Sequence, residues 1–136
     1  MKYTFTAYGH PNVLATHKTT LEITKGNELT KKGDCVVAVA ADFSLQKIKE
    51  LIGKCGNDKI KIIIVADGIK EEVTAAVNKE FSSDHEIVLR KGNFISERTL
   101  GIHADKTAAG LGRKLVERLK NEKTAVSVTV EVIGSC

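Results

Sequence analysis

The chain has 136 residues, 42% hydrophobic and 28% charged, with a formal net charge of +4. That is the size and composition of one ordinary folded domain, which excludes a disordered or low-complexity chain. Its apolar runs fall far short of the roughly 20 residues that span a bilayer, and three cysteines without close spacing signal neither a disulfide framework nor a four-thiolate zinc site.

From Lys2 to Tyr8 apolar and polar residues alternate with the period of a half-buried strand. Gly9-His10-Pro11-Asn12 has turn chemistry, so a hairpin is expected, with a return strand over Val13–Thr24 that points His17 to the apolar side. Lys25-Gly26-Asn27 ends that strand, and a polar connector anchored at Leu29 leads to Cys35–Ala41. This run is apolar throughout and is expected to form the middle of the sheet. Asp42 is suited to cap a helix carrying Leu45, Ile48, Leu51 and Ile52, closed by Gly53 and Gly56.

Ile60–Ala66 is a strand ending in Asp67-Gly68, a dipeptide that favours tight hairpins because both residues accept positive φ. Val73–Val77 is the expected return strand, with a short helix over Glu71–Phe81 as the competing assignment. Glu86–Lys91 forms another strand, broken by Lys91-Gly92-Asn93. After a connector, Ser96–Gly101, a helix is expected over Asp105–Asn121 with a buried stripe of Ala108, Leu111, Leu115, Val116 and Leu119. Gly110 and Gly112 would lie inside it. The valines at 126, 128, 130 and 132 alternate with polar residues as a last half-buried strand, and Ser135-Cys136 is a frayed end.

The expected fold is a single α+β domain of six to eight mainly antiparallel strands and two helices. Its order of elements repeats. Lys25-Gly26-Asn27 matches Lys91-Gly92-Asn93, Leu29-Thr30 matches Ile95-Ser96, and Ala41-Asp42 matches Ala104-Asp105 after a three-residue gap. A duplication with halves 1–56 and 57–136 is therefore expected, and residues that the halves do not share become informative.

Gly9-His10-x-Asn12, the strand Thr16–Thr24, Leu29-Thr30 followed by Gly33-Asp34-Cys35, and Arg98-Thr99-Leu100-Gly101 leading to Ala104-Asp105-Lys106 together resemble a small archaeal family catalogued as domain of unknown function 371. The resemblance covers nearly the whole chain. It implies an archaeal, cytosolic, single-domain protein, and it implies no activity.

The candidate ligand-binding residues are His10, Asn12, His17 and Asp34 from the first half, with Arg98 and Lys106 from the second. His10 and His17 would bind a divalent metal if Asp34 or Cys35 completed the set, although their spacing matches no recognised metal motif. Lys18, Arg90, Arg98, Lys106 and Arg113 would instead surround a small anionic molecule, aided by the N-terminus of the second helix. Cys35 as a nucleophile is disfavoured, because a thiol opening an apolar run is inert packing more often than thiolate. No phosphate-binding glycine loop, dinucleotide fingerprint or serine elbow occurs. Two classes of function therefore stand: a small-molecule enzyme or ligand-binding protein, and a non-catalytic module binding RNA or protein. Six aromatics without tryptophan are few stacking platforms for nucleic acid. The expected setting is the cytosol, without a membrane partner, and a homo-oligomer is compatible with the chain.

Overall fold

The computed structural model describes residues 1–54 and 59–133. Eight strands run in the chain order β1 Lys2–Tyr8, β2 Thr20–Thr24, β3 Val36–Ala38, β4 Lys59–Ala66, β5 Ile69–Val77, β6 Glu86–Arg90, β7 Thr99–Ile102 and β8 Ala125–Ile133. Helix α1, Leu45–Gly53, lies between β3 and β4, and α2, Arg113–Leu119, precedes β8. The strands form one mixed sheet in the order β1-β8-β4-β5-β7-β6-β2-β3. Neighbours are antiparallel except for two parallel pairs, β2 with β3 and β6 with β7. The fold is α+β, in one sheet.

The two ends of that order meet. Tyr8 at the end of β1 and Val39 just past β3 exchange both backbone hydrogen bonds, at 2.7 and 2.8 Å. Both edges are thereby paired, which removes the open ladder that an edge strand would otherwise present. Inside, the alternating residues of each strand form one core. Phe5 and Ala7 face Val128 and Val126 of β8, Ile62 sits between Val130 and Val73, and Leu21 and Ile23 oppose Leu89 and Ile87. Among the described residues no helix is long and apolar enough to cross a membrane.

Several expected elements are corrected. β1 makes no hairpin with the following segment and pairs instead with β8. Gly9 and His10 donate to the carbonyls of Thr124 and Leu119, carrying the chain past the end of α2. A side chain at Gly9 would collide with the carbonyl oxygens of Leu119 and Asn121. Ala15, at φ 51°, breaks the extended path, so the return strand shrinks to β2, and His17 lies in a loop. The Cys35–Ala41 run contains only the short β3, at the end of the strand order; it is buried because the sheet closes there. Asp42 does not cap α1. Ser44 does so, accepting from the Lys47 amide at 3.2 Å.

β5 is longer than expected and wholly extended, which excludes the helix over Glu71–Phe81. Asp67 and Gly68, both at positive φ, make the tight turn into it. The Ser96–Gly101 connector holds much of β7. The long helix expected over Asp105–Asn121 is one 3-10 turn, Ala108–Gly110, followed by the seven-residue α2, with Gly112 at its N-cap. Both glycines thus precede the helix, while all five expected stripe residues are buried. Gly56 and Ser135-Cys136 lie outside the described residues.

The two parallel pairs are built alike. β2–β3 shifts register between Glu22/Val36 and Ile23/Ala38, and β6–β7 between Val88/Thr99 and Leu89/Gly101. After each pair comes one residue at positive φ, Ala40 at 53° and His103 at 52°. The Ala40 and Ala41 amides donate to Gly26 and Thr24, as those of His103 and Ala104 do to Gly92 and Arg90. Asp42 then clasps Thr6 by accepting its amide on the carboxylate and donating its own to the Thr6 carbonyl; Asp105 does the same with Thr74. Exchanging β1–β4 for β5–β8 turns the closed strand order into itself read backwards, the relation that a two-fold axis produces.

Asp42→Ala and Asp105→Ala each delete one carboxylate clasp, so each is expected to cost about 1 kcal/mol. Because the sites share no partner, the double variant should lose the sum. Urea denaturation followed by circular dichroism measures all three.

Candidate anion-binding site

The loop between β1 and β2 is held by its own polar groups. The His10 ring accepts the Asn12 amide on Nδ1 at 3.0 Å, and the Asn12 side chain donates to the Leu29 carbonyl at 2.8 Å. His17 Nδ1 accepts the amides of Thr19 and Thr20, at 3.2 and 3.1 Å. The Asp34 carbonyl accepts the amides of Thr16 and His17. Both imidazoles therefore spend Nδ1 on neighbouring backbone. Among the described residues no three His, Cys, Asp or Glu side chains stand close enough to hold an ion.

His17 has a second task. Its carbonyl accepts the Ala109 amide and the Thr107 hydroxyl, which also donates to the Lys18 carbonyl. Arg113 reinforces the same junction. Its guanidinium donates to the carbonyls of Ala15, Ala108, Ala109 and Leu111, so it fastens two loops together and is not aimed at a ligand. This docking brings Lys18 beside Lys106. From the other side the Lys91 amide donates to the Thr19 carbonyl at 2.9 Å, which adds a third ammonium.

The result is an open cleft of about 370 Å³ lined by Lys18, Lys91, Lys106, Asp105, Thr107, Ala109 and Gly110. Lys106 pairs with Glu71 at 3.1 Å, while Asp105 is engaged with the Thr74 amide. No acidic partner meets the amines of Lys18 or Lys91 among the described residues. At the matching place in the first half, Lys25 is bound to Asp84 at 2.7 Å and lies over the Phe43 ring. Lys91 is thus the unneutralised counterpart of a neutralised lysine. Sequence reasoning used it only as a strand break; that contrast with Lys25 was the available signal.

Arg98 lies elsewhere. On the outer face of β2 and β6 its guanidinium donates to Glu86 at 2.8 Å and stands 3.7 Å from Glu22. Burial, followed by the hydrogen bond and charge of Glu86, pushes the Glu22 carboxyl up to about 7. Burial acts to raise Glu86 too, but hydrogen bonds from Arg98 and Glu22 outweigh it and hold that carboxyl below its ordinary value. The pair therefore holds a proton on the Glu22 side until the pH approaches about 7. The bond to Glu86, opposed by burial, raises Arg98. Cys35 donates to Glu22 across 3.9 Å, and burial, then the Glu22 charge, lifts its thiol to about 11. That leaves no thiolate for nucleophilic attack.

Of the six candidate residues, His17 and Asp34 are joined through backbone, and Thr107 links His17 to the cleft that Lys106 lines. His10 and Asn12 instead brace the loop against Leu29, and Arg98 answers Glu86 and Glu22. The Glu22–Glu86 pair was missed because alternation assigns Glu22 to a polar face, which reads as solvated.

Residues 5–133 match the model of a family described as domain of unknown function (DUF371). The chain is similar to the uncharacterized protein MJ0206 of Methanocaldococcus jannaschii, at 39% identity over 130 residues that make up 93% of this chain and 96% of that one.

The raised Glu22 carboxyl has a definite sign. In the folded state it keeps its proton to about pH 7, whereas the unfolded group loses it near 4.5. Its stabilising contribution is complete below pH 4.5 and lost as pH rises through 7. Gln resembles the protonated form, so the melting temperature of Glu22→Gln should rise relative to the parent between pH 5 and 8, as read by thermal melts in matched buffers.

Proposed function

We propose, from the premise that the chain belongs to the DUF371 family, whose name assigns no activity, that the protein binds a small phosphate-bearing or polycarboxylate anion in the cleft between Lys18, Lys91 and Lys106. The observation that carries this is that Lys18, Lys91 and Lys106 line one cleft, with only Lys106 paired with a carboxylate. Like charges brought together from three loops raise one another's energy unless an anion joins them. The volume suits a small molecule.

Lysine supplies mobile point charges rather than a planar fork, which fits compact multivalent anions better than a lone carboxylate. His17, Asp34, Thr107 and Arg113 hold the loops that present the amines and contribute no charge of their own to the cleft. The proposal places this binding in the cytosol, with Cys35 reduced. We also propose that β1–β4 and β5–β8 are copies of one ancestral unit, divided at the Asp67-Gly68 turn rather than after residue 56. The matched register shifts, positive-φ residues and aspartate clasps support this, and the lysine cleft is then a specialisation of the second half's loops with Lys18.

Inorganic pyrophosphate, titrated calorimetrically at low ionic strength, is expected to bind one per chain and to raise the melting temperature. Lys18→Ala or Lys91→Ala should each weaken binding roughly ten- to a hundredfold, the range of a lost charge-assisted hydrogen bond. The double variant should abolish it. Unchanged affinity in the double variant contradicts the site.

A further inference from the structure

Of four phenylalanines, three are buried to 4% exposure or less, whereas Phe94 is 64% exposed and its neighbour Ile95 is 50% exposed. Exposing such a side chain forgoes burial that normally stabilises a fold. The matching loop in the first half accentuates the difference. Leu29, in the place of Ile95, is 9% exposed, and Asn12 from the chain's own β1–β2 loop donates to the Leu29 carbonyl above it. The second-half loop has no comparable cover among the described residues.

Phe94 sits next to the lysine cleft. With Thr19, Thr20, Arg90 and Gly92 it lines a smaller cleft of about 150 Å³. The Lys91 amide donates to the Thr19 carbonyl, and Lys18 and Lys91, which line the larger cleft, are chain neighbours of Thr19 and Gly92, which line the smaller. The Arg90 guanidinium lies 4.9 Å from the Phe94 ring centroid, and its Nε donates to the Thr99 hydroxyl at 3.1 Å. One face of the ring is thereby braced by a cation that is itself fixed.

We propose that the two clefts together bind a nucleotide unit, its phosphates on Lys18, Lys91 and Lys106 and its base stacked on Phe94, with the Thr19 and Thr20 hydroxyls at the base edge. This rests on the anion cleft proposed above and adds the substrate class. A basic groove for phosphates beside an aromatic on which a base stacks is the pairing that holds unpaired nucleotides in single strands, and each stacked base contributes on its own. The one charged residue lining the smaller cleft is Arg90, which favours this occupant over an apolar protein surface.

The test compares inorganic pyrophosphate, adenosine diphosphate and a single-stranded octaadenylate RNA on the parent chain, Phe94→Ala and Lys91→Ala, with circular dichroism confirming the fold. Adenosine diphosphate should bind at least about tenfold more tightly than pyrophosphate, the effect of one stacked base. Phe94→Ala should erase that difference while leaving pyrophosphate affinity intact, and Lys91→Ala should weaken all three. An octamer binding more tightly than pyrophosphate and the single nucleotide, with a steep salt dependence, identifies an RNA strand as the source; a single nucleotide binding as well as the octamer identifies free nucleotide. If pyrophosphate binds but adenosine diphosphate binds no better, or Phe94→Ala leaves the difference unchanged, the nucleotide assignment falls and the anion cleft stands. If none of the three binds, both fall. A parent chain that dimerises, and a Phe94→Ala variant that does not, would give the loop to a second copy and overturn the assignment.

Discussion

Two hydrogen bonds between Tyr8 and Val39 join the edges of an eight-stranded sheet, and most of the structure follows from that closure. An eight-stranded closed sheet has an interior just wide enough for its own side chains. Here isoleucine, valine, leucine and phenylalanine fill it to near-zero exposure. A ligand therefore has no place inside. Chemistry is left to the loops and the outer face, where Asp42 and Asp105 hold the crossing segments and the β1–β2 loop lies against the approach to α2.

That approach is where the two halves differ in consequence. The same backbone motif is made twice, yet Lys25 is neutralised by Asp84 and covers Phe43, whereas Lys91 lines a cleft with Lys18 and Lys106. Leu29 is covered by the chain itself; Ile95 and Phe94 are not. A motif whose first copy is closed by internal contacts presents, in its second copy, uncompensated charge and an uncovered aromatic. Those are the two ingredients of a binding surface. The Glu22–Glu86–Arg98 cluster lies near the middle of this relation, on the antiparallel β2–β6 pair, and is satisfied within the fold.

Much of the fold was legible in the sequence, and the errors share a cause. Alternation placed β1 and β8 and their buried faces, because a half-buried strand writes its period locally, and apolar runs bounded by turn residues placed β4 and β6. Partners are not local. β1 pairs with a strand some 120 residues on, so a turn at Gly9–Asn12 was read as the nearest hairpin. Asp42 has the chemistry of a helix cap but meets Thr6 first. The stripe from Ala108 to Leu119 was right although only Arg113–Leu119 is α-helical, since a 3-10 turn and a helix can bury the same residues.

The site was legible only in part. Lys18 and Lys106 were named, and His17 and Asp34 belong to the support of the loop beside them, but Lys91 looks like an ordinary surface charge until the sheet brings it to the same cleft. Arg98 was grouped with the other cations, and its carboxylate partners sit on β2 and β6, strands far apart in the sequence that pair directly in the sheet. The account's central claim is that three lysines act as one site. Its most direct test is an NMR titration of the lysine side-chain Cε–Hε signals with inorganic pyrophosphate. Lys18, Lys91 and Lys106 should shift together with a single dissociation constant while Lys25 stays still; shifts at an unrelated set of lysines, or equal small shifts at all of them, would contradict it.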